Sequence, residues 1–166
     1  MTETSARLTL PLLAAGQAQK EMTHNEALTT LDIFVQPVVE SVAPAAVPAA
    51  PLSGQCWIVG NAAGGPWAGQ DGKIAAWTAG GWRFAVATNG MSVWSKADEM
   101  IVRRTASNWI TGSTNAKDYR INGIQTITAR QPAIAIPTGG TSVDPESRAV
   151  IAQILASLRT HGLIAT

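Results

Sequence analysis

Two histidines, one cysteine and eleven carboxylates are all that this chain offers for proton transfer, nucleophilic attack or metal ligation. His24 and His161 lie near opposite ends, and with Cys56 they leave too few nitrogen and sulfur ligands for a transition-metal site. The carboxylates are scattered. Asp98 and Glu99 are adjacent, but neighbours in a strand point to opposite faces, so no acid/base pair can be nominated. There is no Gly-x-Ser-x-Gly elbow, and no histidine lies near Cys56 in sequence. The run Gly69 to Lys73, GQDGK, fails as a phosphate loop: Trp67 stands where the first glycine is needed, and Ile74 where a hydroxyl must hold magnesium. The expectation is a non-enzyme without catalytic, metal-ligating or cofactor-binding residues.

The six tryptophans are the residues with a functional alternative, because an exposed indole stacks on sugar rings or bases. A small β module poor in Leu and Ile needs large aromatics inside, so Trp57, Trp77, Trp82 and Trp94 are expected in its core. Trp67 lies in the Gly/Pro-rich loop Gly60 to Gly72 and is the candidate exposed platform for a glycan or partner, with Gln70 and Asp71 as polar neighbours. Nucleic acid as ligand would need interleaved basic residues, and the net charge is only +1.

The elements that must position these residues follow from caps and periodicity. Thr23-His24-Asn25-Glu26 reads as a capping box opening a helix to about Val35, with Ala27, Leu28, Leu31 and Val35 as its apolar stripe and Pro37 as its stop. Ser41 to Ser53, Ala and Pro with little else, predicts an extended spacer. Strands are expected at Gln55 to Val59, Lys73 to Thr78, Trp82 to Ala87, Met91 to Ser95, Glu99 to Arg104 and Asn108 to Thr111. Tyr119 to Ile121 and Ile124 to Thr126 flank Asn122-Gly123, a strong hairpin signal. Asp144 and Pro145 announce a last helix that ends near His161, before Gly162. The fold class is therefore mainly β with terminal helices (α+β). Its parts are an N-terminal helical segment (residues 1–40), an Ala/Pro linker (41–53), a Trp-rich antiparallel β module (54–111), and a β-hairpin with a C-terminal helix (112–166).

Hydrophobic content of 46% predicts a folded chain, while 14% charge leaves broad neutral surfaces suited to subunit contacts. A homo-oligomer is expected, trimeric or pentameric. Cys56 reads as a buried free thiol. Leu8 to Ala15 is too short and too interrupted by Thr9 and Pro11 for a signal peptide, and no run reaches the ~20 apolar residues of a membrane span. Synthesis in the cytoplasm without membrane insertion is expected.

One stretch exceeds what folding requires: Pro11 to Leu28, PLLAAGQAQKEMTHNEAL. With GQCWIVG at Gly54 to Gly60, WAGQDGKIAAWTAGGWRF at Trp67 to Phe84 and GMSVW at Gly90 to Trp94, it resembles an uncharacterised bacterial family of prophage and gene-transfer-agent clusters, found among tail-fibre-like and head-spike proteins. ARQPAIA at Ala129 to Ala135 and LRTHGLI at Leu158 to Ile164 are also similar to the tails of proteins from such clusters. The resemblance implies a virion-surface structural protein, a spike or fibre base or adaptor supporting adhesion to the recipient cell. The alternative is an adhesin module that contacts capsular polysaccharide directly. Other virion proteins, at a capsid vertex or in a fibre, are the implied partners. Gln17, Gln19, Lys20, Glu21 and His24, polar residues odd for a core, are the candidate particle anchor.

Overall fold

The computed structural model describes residues 3–16, 20–127, 129–141 and 144–166. The protein is α+β, with two helices and several small, mostly antiparallel sheets. It divides into two compact units, Met1–Ser113 and Thr114–Thr166.

In the first unit, helix α1 (Lys20–Phe34) precedes a two-residue strand β1 (Val38–Val39) and six further strands. Strands β2 (Cys56–Ile58), β3 (Ile74–Thr78) and β4 (Gly81–Ala85) form one antiparallel sheet. Strands β5 (Ser92–Ser95), β6 (Met100–Arg104) and β7 (Trp109–Thr111) form another, which β1 joins in parallel in the order β1-β5-β6-β7. The segment 37–43 couples the two sheets. On one side Trp94 and Lys96 donate their N–H groups to the carbonyls of Pro37 and Val39; on the other, Glu40 N–H bonds to Cys56 and Ala43 N–H to Ile58. The start of the Ala/Pro run is therefore paired backbone, and Val47 packs on the core. This corrects the expected spacer: residues 41–43 spend their hydrogen bonds on β2, an arrangement invisible to composition. The motif glycines show how close the fit is. A Cβ at Gly60 would lie 3.0 Å from Ala43 Cβ, and one at Gly54, where φ is +90°, would lie 3.2 Å from the Ala6 carbonyl.

The β2-β3-β4 sheet is buried on both faces. Its inner face contributes Cys56, Ile58, Ile74, Ala76 and Ala85 to a core shared with Ile33, Val39, Val93 and Val102. Its outer face carries Trp57, Trp77, Trp82 and Phe84, and the 3-10 turn Gly65–Trp67 lays Trp67 over them. Trp67 meets Trp82 edge-on at 5.2 Å, and Trp82 meets Trp57 at 5.6 Å and Trp77 at 5.0 Å. Such edge-to-face pairs add about 0.5–1.5 kcal/mol each beyond area burial. The expected exposed platform is thus the most enclosed of the indoles, at 1% exposure, while Trp94, expected inside, is 43% exposed. The alternation of β5 explains the exchange: Val93 and Ser95 take the inner face, and Trp94 must point out.

Helix α1 departs from expectation at both its start and its orientation. Its described residues already include Lys20, Glu21 and Met22, good helix formers, so Thr23 lies inside it and does not cap. Its buried residues are Asp32 and Ile33, with Asn25, Leu28 and Thr29 half-buried. Ala27, Leu31 and Val35 of the predicted core stripe face solvent.

The second unit contains the hairpin β8 (Tyr119–Ile121) and β9 (Ile124–Ile127) and helix α2 (Pro145–Thr160). Asn122 and Gly123 take φ of 51° and 78°, as a tight two-residue turn demands. Asp144 caps α2, accepting from the N–H groups of Glu146 and Ser147; these and the Ser147 hydroxyl hold its carboxyl below the usual range. An extended segment runs beside α2, held by Arg159 to the Ile134 carbonyl at 2.5 Å and Arg148 to that of Pro137 at 2.8 Å.

The indole exchange sets a direct expectation. Trp67→Ala lowers stability by about 3–5 kcal/mol, as for large-to-small core changes, whereas Trp94→Ala changes it by less than about 1 kcal/mol. Urea unfolding followed by tryptophan fluorescence distinguishes the two.

Candidate functional site

Residues 3–16 form a strap bound to α1. Thr4 and Pro11 make an antiparallel bridge, with Leu12 N–H donating to the Glu3 carbonyl at 2.8 Å. The buried Asp32 carboxylate receives the Ser5 hydroxyl at 2.7 Å, Arg7 N–H at 3.0 Å and Leu8 N–H at 2.6 Å. The Arg7 guanidinium in turn donates to the carbonyls of Asp32, Ile33 and Gln36 at the end of the helix. The last turn of α1 has no basic residue of its own, so Arg7 supplies the cation that the helix dipole favours there. Asn25 closes the other end of the strap, accepting from Leu13 N–H at 2.9 Å and donating to its carbonyl at 3.0 Å. Asn25 brings the signature into this clasp, while Ser5, Arg7 and Asp32 lie outside the signature.

Under the strap lies a cavity of about 310 Å³ whose lining includes Arg7, Thr29, Cys56, Trp77 and Arg83. Arg83 reaches Glu26 at 3.2 Å across a largely exposed rim. Burial pushes the Cys56 thiol up to about 11, against a smaller lowering by the Arg7 guanidinium. At neutral pH it is a protonated, inert core residue.

A second concavity, a groove of about 540 Å³, is lined by Asn61, Asp71, Arg104, Ser107, Asn108 and Trp109 among others. The half-buried Trp109 is fixed by its Nε1, which donates to the Gly72 carbonyl at 2.8 Å, and by the Arg104 guanidinium 5.8 Å from its ring centroid. Asp71 lies here, accepting from the N–H groups of Ala62 at 3.0 Å and Ala63 at 3.4 Å. Gln70 accepts from Lys73 Nζ at 2.7 Å and stabilises the turn. The structure thus pairs Asp71 with Trp109 instead of Trp67. The Nε1 of Trp67 is buried with no partner among the described residues. Sequence reasoning passed over Trp109; the basic pair Arg103-Arg104 five residues earlier was the available signal.

Of the candidate anchor residues, Gln17 and Gln19 lie outside the described residues. Lys20 and His24 are exposed one turn apart, the Lys20 carbonyl 2.8 Å from His24 Nδ1. They share the outward face of α1 with Ala27, Leu31 and Val35. Glu21 turns the other way, its carboxylate accepting from Gly16 N–H at 3.4 Å. Among the described residues no group of three or more His, Cys, Asp or Glu could hold a metal ion, and no helix is long and apolar enough to cross a membrane.

Fold and site define a two-unit α+β protein with a strapped helix, a tryptophan-clustered sheet and a polar groove. Residues 24–110, from the middle of α1 into β7, match the family described as a protein of unknown function (DUF2793), and the chain belongs to that family. No curated protein matches the chain.

Two measurements probe the clasp and the thiol beneath it. Asp32→Ala leaves the Ser5, Arg7 and Leu8 donors unsatisfied and costs about 3 kcal/mol, with residues 3–16 becoming the first site of protease cleavage. For Cys56, the folded state keeps the proton that an unfolded thiol, near 9.0, gives up. Stability present below pH 9 is therefore lost progressively as pH rises toward 11, and Cys56→Ala removes this slope in urea melts across that window.

Proposed function

We propose that the protein is a non-enzymatic structural component of a phage or gene-transfer-agent particle, a spike or fibre base assembled from several copies on the virion surface. The observation that carries this reading is an apolar stripe on the outward side of α1. Asn25 and Asp32 face inward to hold the strap, while Ala27, Leu31 and Val35 face solvent beside Lys20 and His24. Leu31 is 50% and Val35 46% exposed. An apolar helix stripe with a cationic end, left outside a chain that already has two cores, suits docking to another protein. The anchor nominated from the polar residues of the signature therefore extends to Leu31 and Val35. The family resemblance supports the particle as the partner.

A second reading, a direct polysaccharide contact, is favoured by the Trp109 groove. It sets an aromatic ring among Asn61, Asp71, Arg104 and Asn108, donors and acceptors for sugar hydroxyls. In this reading the base would also adhere.

Leu31→Glu, at a position 50% exposed, leaves the melting temperature within a few degrees of the parent and removes the chain from purified particles, as read by mass spectrometry. Normal incorporation of this variant overturns the docking face. Trp109→Ala weakens particle adhesion to encapsulated recipient cells if the groove binds glycan; unchanged adhesion leaves a purely architectural base.

A further inference from the structure

We propose that the unit Thr114–Thr166 is a self-association module that acquires its fold only between copies of this chain. Among its described residues, Leu155 and Ile164 alone are buried. The hairpin pairs Tyr119 with Ile127 and Ile121 with Ile124, which sets these four on one face. They are 51%, 49%, 63% and 71% exposed, while Arg120 and Gln125 on the other face hold Asp118. A two-stranded hairpin with an uncovered apolar face is not stable in water. Helix α2 repeats the problem. Its inner side is occupied by Leu155 and by the arginines that hold the extended segment, and its outer side presents Val150, Ile151 and Ile154 at 54%, 41% and 53% exposure. A unit of this size with two buried apolar side chains cannot offset its chain entropy alone.

The chemistry of these faces selects a second copy as the occupant. The outer stripe of α2 carries no charge, since Glu146, Arg148 and Arg159 lie off it, so identical stripes meet without like-charge repulsion. Ile151 and Ile154 on it, with the half-buried Leu158 at its edge, follow the three-four spacing with which equal helices interlock. On the hairpin, Arg120 is already paired with Asp118 at 2.9 Å, and the apolar face asks for no charged partner. Two neutral faces on one small unit are covered together when closed symmetry brings the same surfaces round an axis. This deepens the multi-copy reading above by naming the surface responsible, and it does not require a particle.

The test uses the full chain in solution, with light scattering for mass and hydrogen exchange for local protection, from micromolar to hundreds of micromolar. The expected parent is a multiple of 17.3 kDa with protected amides in α2. On dilution, or in Ile124→Asp or Ile154→Asp, the mass falls to that of one chain, and α2 amides exchange at least about a hundredfold faster while β3 and β6 stay protected. Ile124 and Ile154 are 71% and 53% exposed, so each variant removes little packing within one chain. A monomer at every concentration overturns the proposal: protected α2 amides then mean that the unit stands alone, unprotected ones that something else covers it. Persistence of the oligomer in both variants overturns it too. Loss of particle incorporation in Leu31→Glu with the oligomer intact separates this module from the docking face.

Discussion

The buried carboxylate of Asp32 sets the architecture of the first unit. A carboxyl group buried in a protein is tolerated when its oxygens are hydrogen-bonded, and here the Ser5 hydroxyl and the N–H groups of Arg7 and Leu8 bond them. Meeting that requirement draws residues 3–16 onto the helix. It also rotates α1 so that a polar edge faces in, and it leaves Arg7 where its guanidinium can satisfy the carbonyls at the helix end. The outward apolar stripe is the consequence. With Asn25, Asp32 and Ile33 turned inward, Leu31 and Val35 are left on the outer side.

The small sheet beneath is stabilised by a different means. Three short strands of a low-Leu sequence cannot make a core from one face, so both are used: small and aliphatic residues inward, indoles outward under the turn that carries Trp67. The loop 60–72 is thereby fixed as a lid, which places Asp71 and Gly72 at the wall of the Trp109 groove. Segment 37–43 performs the remaining task of tying this sheet to β5.

These interiors account for the chain's surface. With the charged fraction at 14%, the apolar residues left over gather on the outer side of α1, on β5 and β6 at Trp94 and Ile101, and across the second unit. Surfaces of this kind suit a protein that works in contact with others, and each belongs to an element whose own interior is already satisfied or is too small to be.

What the sequence determined by itself is what neighbours along the chain determine. The six strands of the module, the Asn122-Gly123 turn and the Asp144-Pro145 helix start each depend on residues within a few positions, and all are present. Their local rules, alternation, positive φ and capping, operate before any tertiary contact forms. Tertiary structure decided which face of each element turns inward. Periodicity marked the apolar stripe of α1, but the choice between it and the Asn25–Asp32 edge depended on donors from a strap some 25 residues away. Gly-rich composition marked the 60–72 loop as exposed, yet three indoles across a sheet made a better environment for Trp67 than water. Trp94 went the other way, since a strand that buries Val93 and Ser95 must expose the residue between them. Burial is a property of the assembled surface, and no single segment carries the information that sets it.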